Sequence, residues 1–336
     1  MSAGPWLVTG ASGFLGRHLL IEIERRGNAP DTIALVRHPD EWRAMDWARE
    51  LSRVTTVTGT VTEPAGWTDD PRLGGLGGIF HLAALVRHCR EDAALVHRTN
   101  VEGTAAMVRL AAERKCRMVF VSTSGTVGCF RDPAGTADEE SGFCESEVSG
   151  WPYYRSKIEA ERLARHLADT LGVELTILRP PVLLGPGDHR FRSTNHVSRF
   201  LRGKLPFLVR GGMHFADVRD AAPALVRAMT RDRARPVYHL PGTISTIEEF
   251  FALTAQIAGR KSPGLVMPYR AAWWLARLSA PLKVLPDPVI IEMAAHYWGM
   301  RTRYAQAELE YRSRPATETL TDTIAWLRAH HPALAA

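Results

Sequence analysis

The chain of 336 residues has few cysteines, and their placement argues against several kinds of chemistry. Cys89, Cys116, Cys129 and Cys144 lie 27, 13 and 15 residues apart with no C-x-x-C pair. That spacing argues against a metal site or a redox pair and for reduced thiols in a cytoplasmic setting. Nowhere do 18 apolar residues run together without charge, so no stable membrane insertion is expected. The first apolar strand begins almost at once, which leaves no room for a signal peptide. The net charge of +6 has no lysine-rich run behind it. It suits a small anionic ligand and lacks the clustered basic footprint of a nucleic-acid binder. Internal repeats, low-complexity tracts and flexible linkers are also missing. What remains, 45% apolar and 23% charged, is ordinary for an α/β protein able to bury a large core.

The first seventeen residues organise the rest. Trp6 to Val8 is a short apolar run that reads as a buried parallel strand. It leads into Gly10-x-x-Gly13-x-x-Gly16 and then an amphipathic helix with Leu19, Leu20 and Ile23 on one face, ending at Gly27. A strand turning straight into a helix needs a positive φ, and a pyrophosphate needs close backbone approach, which glycine permits. Free N–H groups at the helix start can then bind phosphate. The spacing differs from G-x-G-x-x-G, so it is the position after the first strand that favours a nucleotide site over a glycine-rich turn.

Short apolar strands then alternate with helices. Strands are expected at Thr32 to Val36, Val54 to Val57, Ile79 to Leu82, Met118 to Ser122 and Glu174 to Leu178. Helices are expected at Val101 to Arg114 and Tyr153 to Leu171. Such alternation implies an α/β fold with a doubly wound parallel sheet. After Arg179-Pro180-Pro181 the pattern loosens: a loop with one helix at 185–215, a helix from Asp217 to Thr230, a strand from Val237 to Leu240, and a helix from Thr246 to Gly259. The tail from Pro268 to Ala335 reads as mostly helical. Its adjacent Trp273 and Trp274 fit a helix packed on the core, the wall of an apolar pocket, or a membrane-surface contact.

Three groups of residues suggest chemistry. The second strand ends Val36-Arg37, without the carboxylate that would hold a ribose 2′-hydroxyl and repel a 2′-phosphate. A guanidinium there suits a phosphate dianion, which favours NADP(H) over NAD, although a solvated arginine after a strand is common. Tyr153 and Lys157 stand four apart and share a helix face. A free phenol, with a pKa of about 10, is too weak a base at neutral pH, but a neighbouring ammonium and a helix N-terminus favour its ionised form. Ser122, Thr123, Ser124 and Thr126 put hydroxyls at the C-terminal end of the fifth strand, the edge where such sheets bind ligands. Asn100 opens the preceding helix, where an N-cap is its ordinary role.

Taken in order, these pieces resemble the extended short-chain dehydrogenase/reductases of the NAD-dependent epimerase/dehydratase superfamily. The resemblance runs along nearly the whole chain. It is carried by Thr9-Gly10-x-x-Gly13-Phe14-x-Gly16, Phe80-His81-Leu82-Ala83-Ala84, Asn100-Val-x-Gly103-Thr104, the Ser122 to Gly128 segment, Tyr153-x-x-x-Lys157, Arg179-Pro180, Gly185-Pro186-Gly187-Asp188 and Phe215-x-Asp217-Val218-Arg219-Asp220. It implies that Tyr153 is the general acid/base. Lys157 would bind the nicotinamide ribose and depress the phenol's pKa, a Thr123 or Ser124 hydroxyl would hold the substrate oxygen, and Asn100 would position water in a proton relay. Cofactor contacts would come from Gly10, Ser12, Gly13, Phe14, Leu15 and Gly16, from Arg37, from Leu82, Ala83 and Ala84, from Tyr153 and Lys157, and from Pro180 and Val182. The family usually carries Gly-Asp after the third strand. Here Gly59-Thr60-Val61 stands there, leaving a backbone contact at Thr60 and Val61.

The resemblance further implies a Rossmann domain over 1–184 with 216–242 returning to it. A smaller, mostly helical substrate-binding part would comprise 185–215 and 243–336. Arg37, Arg202-Gly203-Lys204-Leu205-Pro206-Phe207 and the Glu308 to Leu327 tail look like the dihydroflavonol-reductase-like and 3β-hydroxysteroid-dehydrogenase-like branch. That branch interconverts ketones or aldehydes and alcohols on hydrophobic molecules, and a homodimer through the helices near Asn100 and Tyr153 is expected. The alternative is a nucleotide-sugar epimerase. Dehydratases carry an acidic pair just after the strand-end threonine, where this chain has Ser124-Gly125. A non-catalytic NADP-sensing protein usually loses the tyrosine or the lysine, and both are present.

Overall fold

The computed structural model describes residues 4–279 and 285–334. Ten strands are used below: β1 (Trp6–Thr9), β2 (Thr32–Val36), β3 (Val54–Thr58), β4 (Gly78–His81), β5 (Arg117–Val121), β6 (Leu175–Arg179), β7 (Val182–Leu184), β8 (Gly212–Asp217), β9 (Val237–His239) and β10 (Thr243–Thr246). β1, β2 and β4 are buried along their whole length. Burial on both faces explains why they read as unbroken apolar runs and do not alternate. Seven strands form one parallel sheet in the order β9-β6-β5-β4-β1-β2-β3. The direction of winding reverses between β1 and β4, which opens a crevice at their C-terminal ends.

The helices are α1 (Phe14–Arg26), α2 (Pro39–Arg43), α3 (Ala93–His97), α4 (Gly103–Glu113), α5 (Pro152–Leu171), α6 (Asn195–Leu201), α7 (Val218–Thr230), α8 (Ile247–Ala258), α9 (Tyr269–Ser279), α10 (Pro288–Ala294) and α11 (Ala316–His330). Leu19, Leu20 and Ile23 of α1 pack with Ala221, Leu225 and Met229 of α7 on one face of the sheet. Met107, Val108 and Ala111 of α4 pack with Ala160, Ala164 and Ala168 of α5 on the other. A second, three-stranded sheet, β10-β8-β7, carries α8 and α11. Phe215, Phe250, Leu320 and Ile324 fill the space between them. A reciprocal capping box starts α8, with the Thr246 hydroxyl accepting from Glu249 N and the Glu249 carboxylate accepting from Thr246 N.

Most expected elements stand within one or two residues of their places, with one correction. No helix opens at Asn100. The helical run begins at Ala93, and residues 98–102 form a wide π-turn inside it before α4. The cause is tertiary: the Asn100 amide bonds to a loop fifteen residues upstream, as described below. The described part of the tail is mostly helical, as expected, with α9, α10 and α11 separated by loops and by a short strand, Tyr297–Trp298, that pairs with Cys129–Phe130. In α9, Ala272 and Ala276 are buried and Trp273 Nε1 donates to Glu292 Oε1 at 2.9 Å. Trp274 is 57% exposed, so the two tryptophans part ways, one packing and one facing outward. Among the described residues no helix is long and apolar enough to cross a membrane.

Candidate active site

The crevice has a phosphate end and a chemical end. At the first, β1 gives way to Gly10 with φ +70. A Cβ on Gly10 would lie 2.7 Å from Ala83 N, and one on Gly16 would lie 2.3 Å from Gly10 O. The loop therefore lies flat on the end of β4, and α1 starts directly against it. Gly13 is the N-cap of α1, with neither a side-chain cap nor an acidic residue in the first turn. The opening N–H groups of Phe14, Leu15 and Gly16 thus keep their partial positive charge for an anion. These features fit a dinucleotide pyrophosphate.

Thr9 links the loop to the neighbouring strand. Its Oγ1 accepts from Ala83 N at 3.2 Å and lies 2.8 Å from His81 Nδ1, while His81 Nε2 lies 3.0 Å from Thr104 Oγ1 on α4. Burial holds the imidazole pKa down at about 3, so the ring is neutral and structural. Leu82 N donates to Thr9 O at 3.2 Å, which keeps Leu82, Ala83 and Ala84 along the floor of the crevice. Beyond β2, Arg37 is exposed on one wall of a small cleft shared with Ser12, Val36, His38, Glu41, Trp42, Met45 and Arg190. Nothing in the local sequence marks Arg190, which arrives from a loop 178 positions after Ser12. Val61 is buried against Gly103, at a spot where a Cβ would lie 2.7 Å from its side chain, and Thr60 O accepts from Trp67 Nε1 at 2.9 Å.

At the chemical end, Pro152 occupies the first turn of α5 and Tyr153 follows it. The Thr123 side chain lies close enough to the Tyr153 phenol to favour its ionised form. Ser124 is buried behind, its backbone N donating to Pro180 O at 2.8 Å. Of the two candidate hydroxyls, Ser124 is buried and Thr123 is partly exposed. Burial pushes the Tyr153 pKa up to about 12, with the Thr123 contact pulling the other way. Lys157 is not among the groups that set this value. Lys157 is fully buried, its Nζ donates to Val121 O at 2.8 Å, and it lies 4.3 Å from the centre of the Phe120 ring. Burial pulls its own pKa down to about 7, and Glu161 one turn on acts against that fall.

Asn100 lies beneath these groups. Its Oδ1 accepts from Leu85 N at 2.7 Å, and its Nδ2 donates to Leu85 O at 3.1 Å and to Ser156 Oγ at 2.9 Å. The amide thus ties the loop after β4 to α5, and Ser156 Oγ donates in turn to Tyr153 O at 2.7 Å. That loop brings up His88, a residue the motifs do not mark. Its ring stands edge-on to Tyr153 at 5.6 Å, and burial holds its pKa down at about 4. Tyr154 packs across Gly125, where a Cβ would lie 2.1 Å from its ring. Val182 is 37% exposed on β7, at the edge of the smaller sheet. Glu161, also absent from the motifs, forms a buried ion pair with Arg179 and accepts from Thr126 Oγ1 at 3.1 Å.

This arrangement can hold a dinucleotide with its phosphates on the glycine loop and present a protonated phenol to a carbonyl or alcohol oxygen. Comparison with known proteins agrees with the family inferred from the motifs. Residues 6–240 match the NAD dependent epimerase/dehydratase family. A putative dihydroflavonol 4-reductase of Synechocystis is 27% identical over 98% of this chain and 96% of its own length. Cinnamoyl-CoA reductase 1 of Oryza sativa is 30% identical over 75% of each chain. The crystal structure of gox2253 superposes with a TM-score of 0.81 at 28% identity, covering 97% of this chain and 98% of the other. The glycine loop, the Tyr-Lys helix and the sheet order all lie within the matched region, and the chain belongs to the NAD-dependent epimerase/dehydratase family of extended short-chain dehydrogenase/reductases.

Proposed function

We propose that this protein is an NADP(H)-dependent oxidoreductase that interconverts a ketone or aldehyde and an alcohol on a hydrophobic small molecule. The observation that carries this reading is the placement of Tyr153 in the first turn of α5 and of Thr123 just beyond the C-terminal end of β5, with burial favouring the protonated phenol. The reductase-named relatives support it. When bound, the nicotinamide supplies or accepts the hydride. Tyr153 then gives its proton to the carbonyl oxygen, and the Thr123 hydroxyl fixes that oxygen beside it. A phenol that keeps its proton at neutral pH suits reduction, since the acid is already charged with its proton when substrate arrives. Lys157 would hold the cofactor ribose, and Arg37, exposed at the end of β2, would take the 2′-phosphate. Asn100 holds the floor of the site through Leu85 and Ser156.

The test separates this activity from sugar epimerisation. A reductase exchanges its cofactor each turnover, so purified protein should consume NADPH stoichiometrically with an apolar ketone or aldehyde. Deuteride from C4-labelled NADPH should appear on the product's carbinol carbon. Protein that carries tightly bound NAD and interconverts UDP-sugars without net oxidation would place the chain among the epimerases.

A further inference from the structure

A second guanidinium faces the cleft at the end of β2. The loop after β7 turns back over the start of α1 through Gly185 and Gly187, both at positive φ (+128 and +94). It is fastened there by His18 Nε2, which lies 2.9 Å from Pro186 O, and by Arg17 Nη1, which donates to Gly187 O at 3.4 Å. Asp188 braces the far side of the turn, its Oδ2 accepting from Thr194 N at 2.9 Å and from Thr194 Oγ1 at 3.0 Å. Arg190 is thereby carried to the glycine loop. Its Nη2 donates to Ser12 Oγ at 3.4 Å, and the side chain is only 27% exposed.

The charges around this point do not balance. Arg37 and Arg190 line the same cleft and the α1 N-terminus opens beside them. The carboxylate at hand is Glu41 of α2, 3.5 Å from Arg190 and itself 59% exposed. Burial and the neighbouring Arg192 and Arg37 make the Arg190 cation harder to keep, while Glu41 favours it. Two guanidiniums, a hydroxyl and one loosely held carboxylate form a site whose missing partner is a dianion.

We propose that Arg190 is the second arm of a clamp on the 2′-phosphate of NADP(H), closing opposite Arg37 over Ser12, with Glu41 as the internal anion that the phosphate displaces. This rests on the NADP(H) reading above and goes beyond it by assigning selectivity to a loop outside the first β-α-β unit. Arg190 is a binding residue, with no part in proton or hydride transfer.

Binding of the adenosine half alone provides the test. Dissociation constants for adenosine 2′,5′-bisphosphate and for 5′-AMP, and then for NADPH and NADH, are measured by calorimetry on wild type and on Arg37→Ala, Arg190→Ala, Arg190→Lys and Glu41→Gln. Arg190→Ala should weaken the bisphosphate and NADPH by about tenfold or more while leaving 5′-AMP and NADH nearly unchanged. Arg190→Lys should recover part of the loss, as a point charge without the fork. Glu41→Gln should tighten the phosphorylated ligands only. If wild type prefers NADPH and Arg37→Ala removes that preference while Arg190→Ala keeps it, the clamp is wrong and the NADP(H) reading stands. If Arg190→Ala weakens all four ligands alike, Arg190 merely holds the loop, and the clamp is again wrong. Wild type that binds NADPH and NADH equally overturns the NADP(H) reading itself.

Discussion

Tyr153 and Lys157 stand four residues apart on α5, yet burial moves them in opposite senses, the phenol up to about 12 and the ammonium down to about 7. Tyr153→Phe removes only the transferable proton. It should lower kcat by at least about a hundredfold while leaving NADPH affinity nearly intact. A variant that kept a tenth of the rate would exclude Tyr153 as the acid. Lys157 also makes a prediction about stability. Its ordinary pKa is 10.5, so between about pH 7 and 10.5 the unfolded chain binds more protons than the folded one. Stability from this group therefore rises with pH across that window, and the cost of burying its charge is greatest below pH 7. Lys157→Met should abolish turnover. Its melting temperature relative to wild type should be most favourable near pH 6, and that advantage should shrink toward pH 10. A difference in melting temperature that stays flat with pH would show that the ammonium is not desolvated as described.

Elements were legible where the signal is local. β2 reads directly from Thr32 to Val36, and α7 from its apolar spacing, because burial on known faces writes itself into the sequence. The π-turn at 98–102 was not legible, because what shapes it is a pair of bonds from Asn100 to Leu85 across the crevice. Arg190 and His88 escaped for the same reason: each owes its place to a loop folding back on a distant strand or helix. The tyrosine, the lysine and the glycine loop were visible because their spacing alone puts them on one face or one turn. Asn100→Leu tests the element-scale role. It leaves Leu85 N–H and Ser156 Oγ without their partner, a cost of about 1–3 kcal/mol. The Leu85 amide should then exchange with deuterium at least about tenfold faster, and substrate KM should rise as the loop bearing His88 loosens. Unchanged exchange at Leu85 would mean the amide is not what fastens the loop.

At the scale of the whole molecule, the late segments are bound into the main sheet by buried polar groups. The Glu161–Arg179 pair joins α5 to β6, and Arg179 Nη1 lies 3.2 Å from His239 Nε2 on β9. His239 Nδ1 lies 3.1 Å from Arg301 O, while Asp138 pairs with Arg301 and Arg303. Glu161→Gln strands the Arg179 charge in a dry interior and should cost about 3–5 kcal/mol. The same web predicts a single cooperative transition by calorimetry, and two resolved transitions would show that the late segments fold independently of the sheet. The packing of Tyr154 across Gly125 has a consequence for how this site could change over evolutionary time. The acidic residues that dehydratases carry would have to enter at Ser124 and Gly125, and the Tyr154 ring leaves no room for any side chain at the second. A descendant acquiring that chemistry must shrink Tyr154 first and add the acid afterwards. The reverse order passes through a chain that cannot pack α5, so the route to dehydration is open in one direction of steps and closed in the other.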